Sequence, residues 1–151
     1  MYFLTGNHLD CQAGYGLIQK GRAQLKADGG TRGRRFLAQG AELLRSGAYD
    51  VPRGDPSQRR AMFEGAWLAL GHSAHGDLEA ACEVGRIVAD RLDLVCSPRS
   101  AALLHQLAAD LRRRPAPPTA QRARAQLLAG PGARPRRTRP VDATWPLGSG
   151  S

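Results

Sequence analysis

A chain of 151 residues is long enough for one domain with a real core and short for two. Aromatic content is 5%, Ala, Leu, Gly and Arg are abundant, and β-branched residues do not cluster in alternating runs, so helices are favoured over sheets. The formal charge of +9 invites a nucleic-acid reading, yet residues 1–111 carry 13 Lys/Arg against 12 Asp/Glu, while 112–151 carry nine arginines against Asp142 alone. The basicity therefore belongs mostly to the tail. Within the body, residues 20–60 hold ten basic against four acidic side chains and residues 61–111 hold three against seven. Cys11, Cys82 and Cys96 are odd in number and irregular in spacing, which speaks against a disulfide framework and for a reducing compartment. The opening MYFLTGNHLD has no signal-peptide pattern, and no run approaches the roughly 20 apolar residues of a spanning helix. A soluble, cytoplasmic protein without membrane contact is expected.

Asn7 or Thr5 can cap a first helix running through HLDCQAGYGLIQKGRAQL, with Leu9, Ala13, Gly16, Leu17 and Leu25 on its apolar side. Its glycines at 14, 16 and 21 each cost about 0.8–1 kcal/mol of helix propensity relative to Ala. Such glycines suggest a close neighbouring helix. After the ADGGTRG break, with Thr31 as a candidate cap, a second helix from about Arg32 to Ser46 is expected to bury Phe36, Ala41 and Leu43 or Leu44 and to end at Gly47. Pro52 and Gly54 then forbid helix continuation.

The next start is the clearest. Asp55 can cap, Pro56 takes the first helical position, and Gln58 can complete a capping box. Met62, Phe63, Ala66, Trp67, Leu70 and Ala74 form its stripe. Gly76-Asp77 closes this helix and caps another, carrying Leu78, Ala81, Cys82, Gly85, Val88, Ala89, Leu92 and Val95. A turn this tight implies an antiparallel hairpin. Ser97-Pro98 repeats the cap-plus-proline start for a stripe of Ala101, Leu104, Leu107, Ala108 and Leu111, and Pro115 ends it. Beyond that lie most of the prolines and no sustained apolar period. AQRARAQLLA could bury only Leu127 and Leu128, too little against an ordering cost of about 1–2 kcal/mol per residue. Two regions are expected: a helical domain over 1–114 and a disordered Arg/Pro-rich tail over 115–151.

Two helices joined by a tight Gly-Asp turn, with small residues near their crossing, are the signature of a tetratricopeptide-like repeat. With Gly76-Asp77-Leu78 at the turn, Leu68 and Ala69 take the large-small pair of the first helix and Ala81 the small position of the second; the usual tryptophan falls on Gly65. The expected fold is all-α, antiparallel helical hairpins in a tetratricopeptide-like right-handed solenoid.

More narrowly, residues 59–114 resemble the tetratricopeptide-like C-terminal region of actinobacterial Xre/Cro-type helix-turn-helix transcriptional regulators and their sporulation-associated relatives. The phrases A-H-G-D-L-E-A-A-C, S-P-R-S and the terminal L-R-R-R carry the likeness. It extends over roughly residues 7–114, most convincingly 55–114. In that family a helix-turn-helix domain binds DNA, and the repeat region dimerises or senses a peptide, protein or small ligand. No helix-turn-helix can be placed before Asn7, so the resemblance implies that the DNA-binding domain is absent from this chain. After Arg114 the composition departs from that of the relatives and resembles out-of-frame translation of GC-rich coding sequence.

Site candidates are few. His72, His75 and Cys82, with Glu79 nearby, have no fourth ligand at the spacing of a structural zinc site; a histidine near a turn and a core cysteine are the simpler account, and no metal or cofactor is expected. His8 and Cys11 can be neighbours on a helix, but nothing supplies an oxyanion hole or an orienting third group, so no enzyme activity is expected. The internal glycines lack the preceding strand of a phosphate loop. Arg32, Arg34, Arg35, Arg45, Arg59 and Arg60 could form a basic face for an acidic partner, or a solvated surface. Tyr15, Phe63, Trp67 and His72 are candidate liners of an interaction groove, although Phe63 and Trp67 also suit the core. The expected function is non-enzymatic protein interaction or ligand sensing within a bacterial transcriptional regulator, with a protein, a peptide or a second copy as partner and DNA contacted only through another domain. The alternatives are a free-standing helical adaptor and a non-specific nucleic-acid binder acting through its basic regions.

Overall fold

The computed structural model describes residues 6–28, 30–45, 49, 51–115 and 117–129, and every regular element among them is a helix. A first pair is formed by α1 (Gly6–Asp28) and α2 (Thr31–Arg45), a second by α3 (Gln58–His75) and α4 (Leu78–Ala89). A single turn, α5 (Leu92–Val95), leads to α6 (Pro98–Arg112), and α7 (Pro118–Ala129) follows. Thr5 and Gly47, the expected cap positions, lie outside the described residues.

Glycines decide how α1 and α2 meet. A Cβ built on Gly40 would lie 2.8 Å from the Gly14 carbonyl oxygen, and one on Gly21 would lie 2.8 Å from the Gly33 carbonyl oxygen. Gly14 thus opposes Gly40 and Gly21 opposes Gly33, which is an antiparallel register with contacts two helical turns apart. This corrects the expected apolar side of α1. Its buried positions are Cys11, Gly14, Ile18 and Gly21, whereas Leu9 is 53% exposed and Gly16 meets nothing within 4 Å. Backbone approach, rather than the largest side chains, selects the face. On α2 the buried set is Gly33, Leu37, Gly40, Ala41 and Leu44, and Phe36 is only half-buried.

The central element is α3, which packs against α1, α2, α4 and α6. It buries Ala61, Met62, Ala66, Leu68, Ala69 and Leu70, apolar on nearly every side as such a position requires. Asp55 accepts the Ser57 backbone N–H at 2.7 Å, and Gln58 Oε1 reaches back to the Gly54 N–H at 2.7 Å, so the expected box forms one residue further back while the regular helix starts at Gln58. Gly76 ends α3 with φ 102°, its N–H on the His72 and Ser73 carbonyls, and Asp77 caps α4 by accepting from the Ala80 N–H at 3.1 Å. Gly65 lets Val88 of α4 close in, 2.8 Å from where a Cβ would sit. Instead of continuing to Val95, α4 stops at Ala89; the Arg91 N–H bonds back to the Val88 carbonyl, and the Arg91 guanidinium donates to the Val51 carbonyl.

Ser97 caps α6 through the Ser100 N–H with Pro98 at the first helical position, and Leu104, Leu107 and Leu111 are buried. The expectation of a disordered tail from residue 115 is corrected over Pro118–Ala129, which forms α7 and packs on α4 with Ala120 and Leu127 buried. Gly85 makes this possible: a Cβ there would lie 2.7 Å from Leu107 and 3.3 Å from Leu127. Residues 130–151 lie outside the described residues. None of the described helices is long and apolar enough to cross a membrane.

Candidate functional site

Tyr15 of α1 and Phe63 and Trp67 of α3 come together on one side of the molecule. The Tyr15 ring meets Phe63 edge-on at 5.3 Å and stacks near Trp67 at 6.4 Å with 24° between the planes. Phe63 and Trp67 share a face because four residues advance a helix by little more than one turn. All three side chains are half-buried, neither sealed in the core nor free of it. Beneath them Glu64 is buried, with Arg60 Nε 3.4 Å from its Oε1, an ion pair without a well-formed hydrogen bond. Burial first, and then the Glu64 carboxylate, pushes the Tyr15 hydroxyl up to about 12 and the Cys11 thiol up to about 11. That is the wrong direction for a nucleophilic cysteine. His8, moreover, shares a 3.1 Å hydrogen bond with Gln12.

His72 does not join the aromatic group. Five residues beyond Trp67 place it about 140° around the helix, where its ionisable neighbours are Asp77, with Oδ2 3.9 Å from Nδ1, Arg45 and His75. Burial lowers its pKa, and the nearby Asp77 only partly opposes that. Among the described residues, no group of three or more His, Cys, Asp or Glu side chains is placed to hold a metal ion.

The arginine series is divided between two helices. Arg32, Arg34, Arg35 and Arg45 are exposed on α2, with Glu42 3.3 Å from Arg45, and Arg59 and Arg60 occupy the first turn of α3. Phe36 has two cations over its ring, Lys20 Nζ at 4.7 Å and Arg32 Cζ at 5.7 Å from the ring centre. Such contacts at exposed sites contribute about 0.5–1 kcal/mol each.

Sequence reasoning missed a cleft that continues from the aromatic group between α1 and α6. One part, about 240 Å³, is lined by Gln19, Arg22, Ala23, Lys26, Trp67 and Gln106. The adjoining part, about 190 Å³, shares Arg22 and Lys26 and adds Asp110, Arg113 and Arg114 among its walls. Arg22 spans it, donating to Gln106 Oε1 at 3.0 Å and to Asp110 Oδ2 at 2.8 Å, and Arg113 donates to the other Asp110 oxygen. Arg114 donates to the Ser73 carbonyl. The Trp67 indole N–H is buried with no acceptor among the described residues. A helical stripe was available as a signal: Tyr15, Gln19, Arg22 and Lys26 on α1 recur at intervals of four, three and four, and Gln106, Asp110 and Arg113 on α6 at four and three. What joins the two stripes is tertiary. No family model, curated protein or solved structure matches the chain.

Proposed function

We propose that the chain is a non-enzymatic protein-interaction or ligand-sensing module of a bacterial transcriptional regulator, built as a tetratricopeptide-like solenoid whose first helices of each pair present the binding surface. The supporting observation is the half-buried group Tyr15, Phe63 and Trp67, which α1 and α3 hold together and of which Trp67 also lines the α1–α6 cleft. Partly exposed rigid aromatics next to a groove are what peptide-binding surfaces use, because they offer much contact area at small entropic cost. The repeat reading draws support from the close crossings at Gly65 and Gly85 and from the complete burial of Leu68, Ala69 and Ala81, the positions that the repeat pattern assigns to large and small packing residues. The regulator context rests on the sequence resemblance of residues 55–114.

Panning a library of short random peptides against the full chain tests this. Recovery of peptides whose affinity drops when Tyr15→Ala and Trp67→Ala are introduced, with the fold retained by circular dichroism, is the expected result. Recovery of no peptide, or binding indifferent to both substitutions, removes the aromatic group from any docking role.

A further inference from the structure

The α1–α6 cleft carries an excess of positive charge. Arg22, Lys26, Arg113 and Arg114 line it against the single carboxylate Asp110. That carboxylate is shared by Arg22 and Arg113, so it neutralises at most one of the two. Lys26, exposed, has no anionic partner among the described residues. Burial lowers the Arg22 pKa, yet a guanidinium stays charged throughout the working range of a protein, so the excess positive charge is held in place rather than titrated away.

Beside the cationic end lies a second chemistry. Trp67 and Ala23 offer an apolar wall, Gln19 and Gln106 supply amide groups, and the Trp67 N–H lacks an acceptor. Each part of the cleft is smaller than the roughly 300–1,000 Å³ of a site that encloses a drug-sized molecule. An extended segment laying down one or two side chains fits better.

We infer that this cleft takes an acidic peptide segment of a partner protein, with an apolar or aromatic side chain against Trp67 and the following carboxylates at Lys26 and Arg113. The inference deepens the interaction reading above and rests on it. A nucleic-acid backbone suits the place less well, since the carboxylate of Asp110 stands among its cations.

The test uses the same peptide selection on the full chain, followed by affinity measurements on fluorescein-labelled hits. Hits should be enriched in Asp and Glu beside one aromatic or large aliphatic residue. Their binding should weaken with rising salt and should drop about tenfold, some 1.4 kcal/mol, in the double variant Lys26→Gln/Arg113→Gln. Both positions are exposed, so the fold should survive. Arg34→Gln/Arg35→Gln on α2 should leave binding unchanged, and Asp110→Asn should tighten it. Hits that are neutral or basic, acidic hits indifferent to Lys26→Gln/Arg113→Gln, or hits lost equally in the α2 variant overturn the inference while leaving peptide binding standing. Displacement of the hits by an oligothymidylate at comparable concentration would assign the cleft to nucleic acid and overturn it too. Recovery of no peptide at all removes both this inference and the interaction reading beneath it.

Discussion

Gly40 faces the Gly14 carbonyl oxygen so closely that a Cβ on Gly40 would stand 2.8 Å from it. A backbone oxygen cannot move aside as a side-chain terminus can, so Gly40→Ala should separate α1 from α2 and cost about 1–3 kcal/mol, more than the roughly 1 kcal/mol that alanine returns in helix propensity. Gly16 is the internal control. It lies on α1, two residues from Gly14, with nothing within 4 Å, and Gly16→Ala should stabilise by up to about 1 kcal/mol. Urea unfolding midpoints that move the same way in both variants would contradict the opposing roles.

The C-terminal helix offers a second quantity. Leu127 is 8% exposed and packs into the space that Gly85 leaves beside Leu107. Leu127→Ala should therefore destabilise the protein by about 1–3 kcal/mol, towards the lower end of the range for buried leucines because α7 is the last described element. A chain ending at 114 should melt lower than one ending at 129. Equal melting temperatures would show that α7 adds nothing.

Tyr15 should ionise near 12 rather than at its ordinary 10, for the burial and Glu64 reasons given above. The tyrosinate absorbance of a Tyr2→Phe/Tyr49→Phe background isolates this titration. Glu64→Gln should move it down part of the way, since burial, the larger cause, remains. Because the folded state holds its proton more tightly, the stability linked to Tyr15 is fully present below pH 10 and is lost as pH rises from 10 towards 12. A titration unchanged by Glu64→Gln would separate the two residues.

His72 has the opposite sign. Burial lowers its pKa below 6.5, so the neutral ring is the form the fold prefers. Stability linked to it is present above 6.5 and is lost as pH falls through that value towards the lower folded pKa. His72→Gln should flatten the acid limb of the stability profile between neutrality and about pH 5, measured by thermal melts. A profile as steep as that of the parent would place the acid sensitivity elsewhere.

Local chemistry was legible in the sequence where a signal and its effect lie within a few residues. Asp77 and Ser97 cap the helices they precede, and Gly76 takes the left-handed conformation that its position demands. The grouping of Tyr15, Phe63 and Trp67 was also within reach, because two members share a helix face. The buried face of α1 was not, since Leu9 and Ala13 draw attention as apolar residues, whereas contact forms through glycines that contribute no side chain. Residues 118–129 read as unable to fold because Leu127 finds its counterparts, Gly85 and Leu107, only in three dimensions. The cleft escaped for the same reason: Arg22 and Asp110 are 88 positions apart.

That separation also carries a kinetic consequence. The α1–α2 and α3–α4 hairpins join near neighbours in sequence and can close early, whereas the Arg22–Asp110 bridge must wait until α1 and α6 have both packed on α3. Side chains that meet only after the rate-limiting barrier govern how long the native state survives, not how quickly it is reached. Arg22→Gln should therefore steepen escape from the folded state and leave the refolding arm of the chevron almost where it was. A slowed refolding arm would instead place the meeting of α1 and α6 within the folding nucleus.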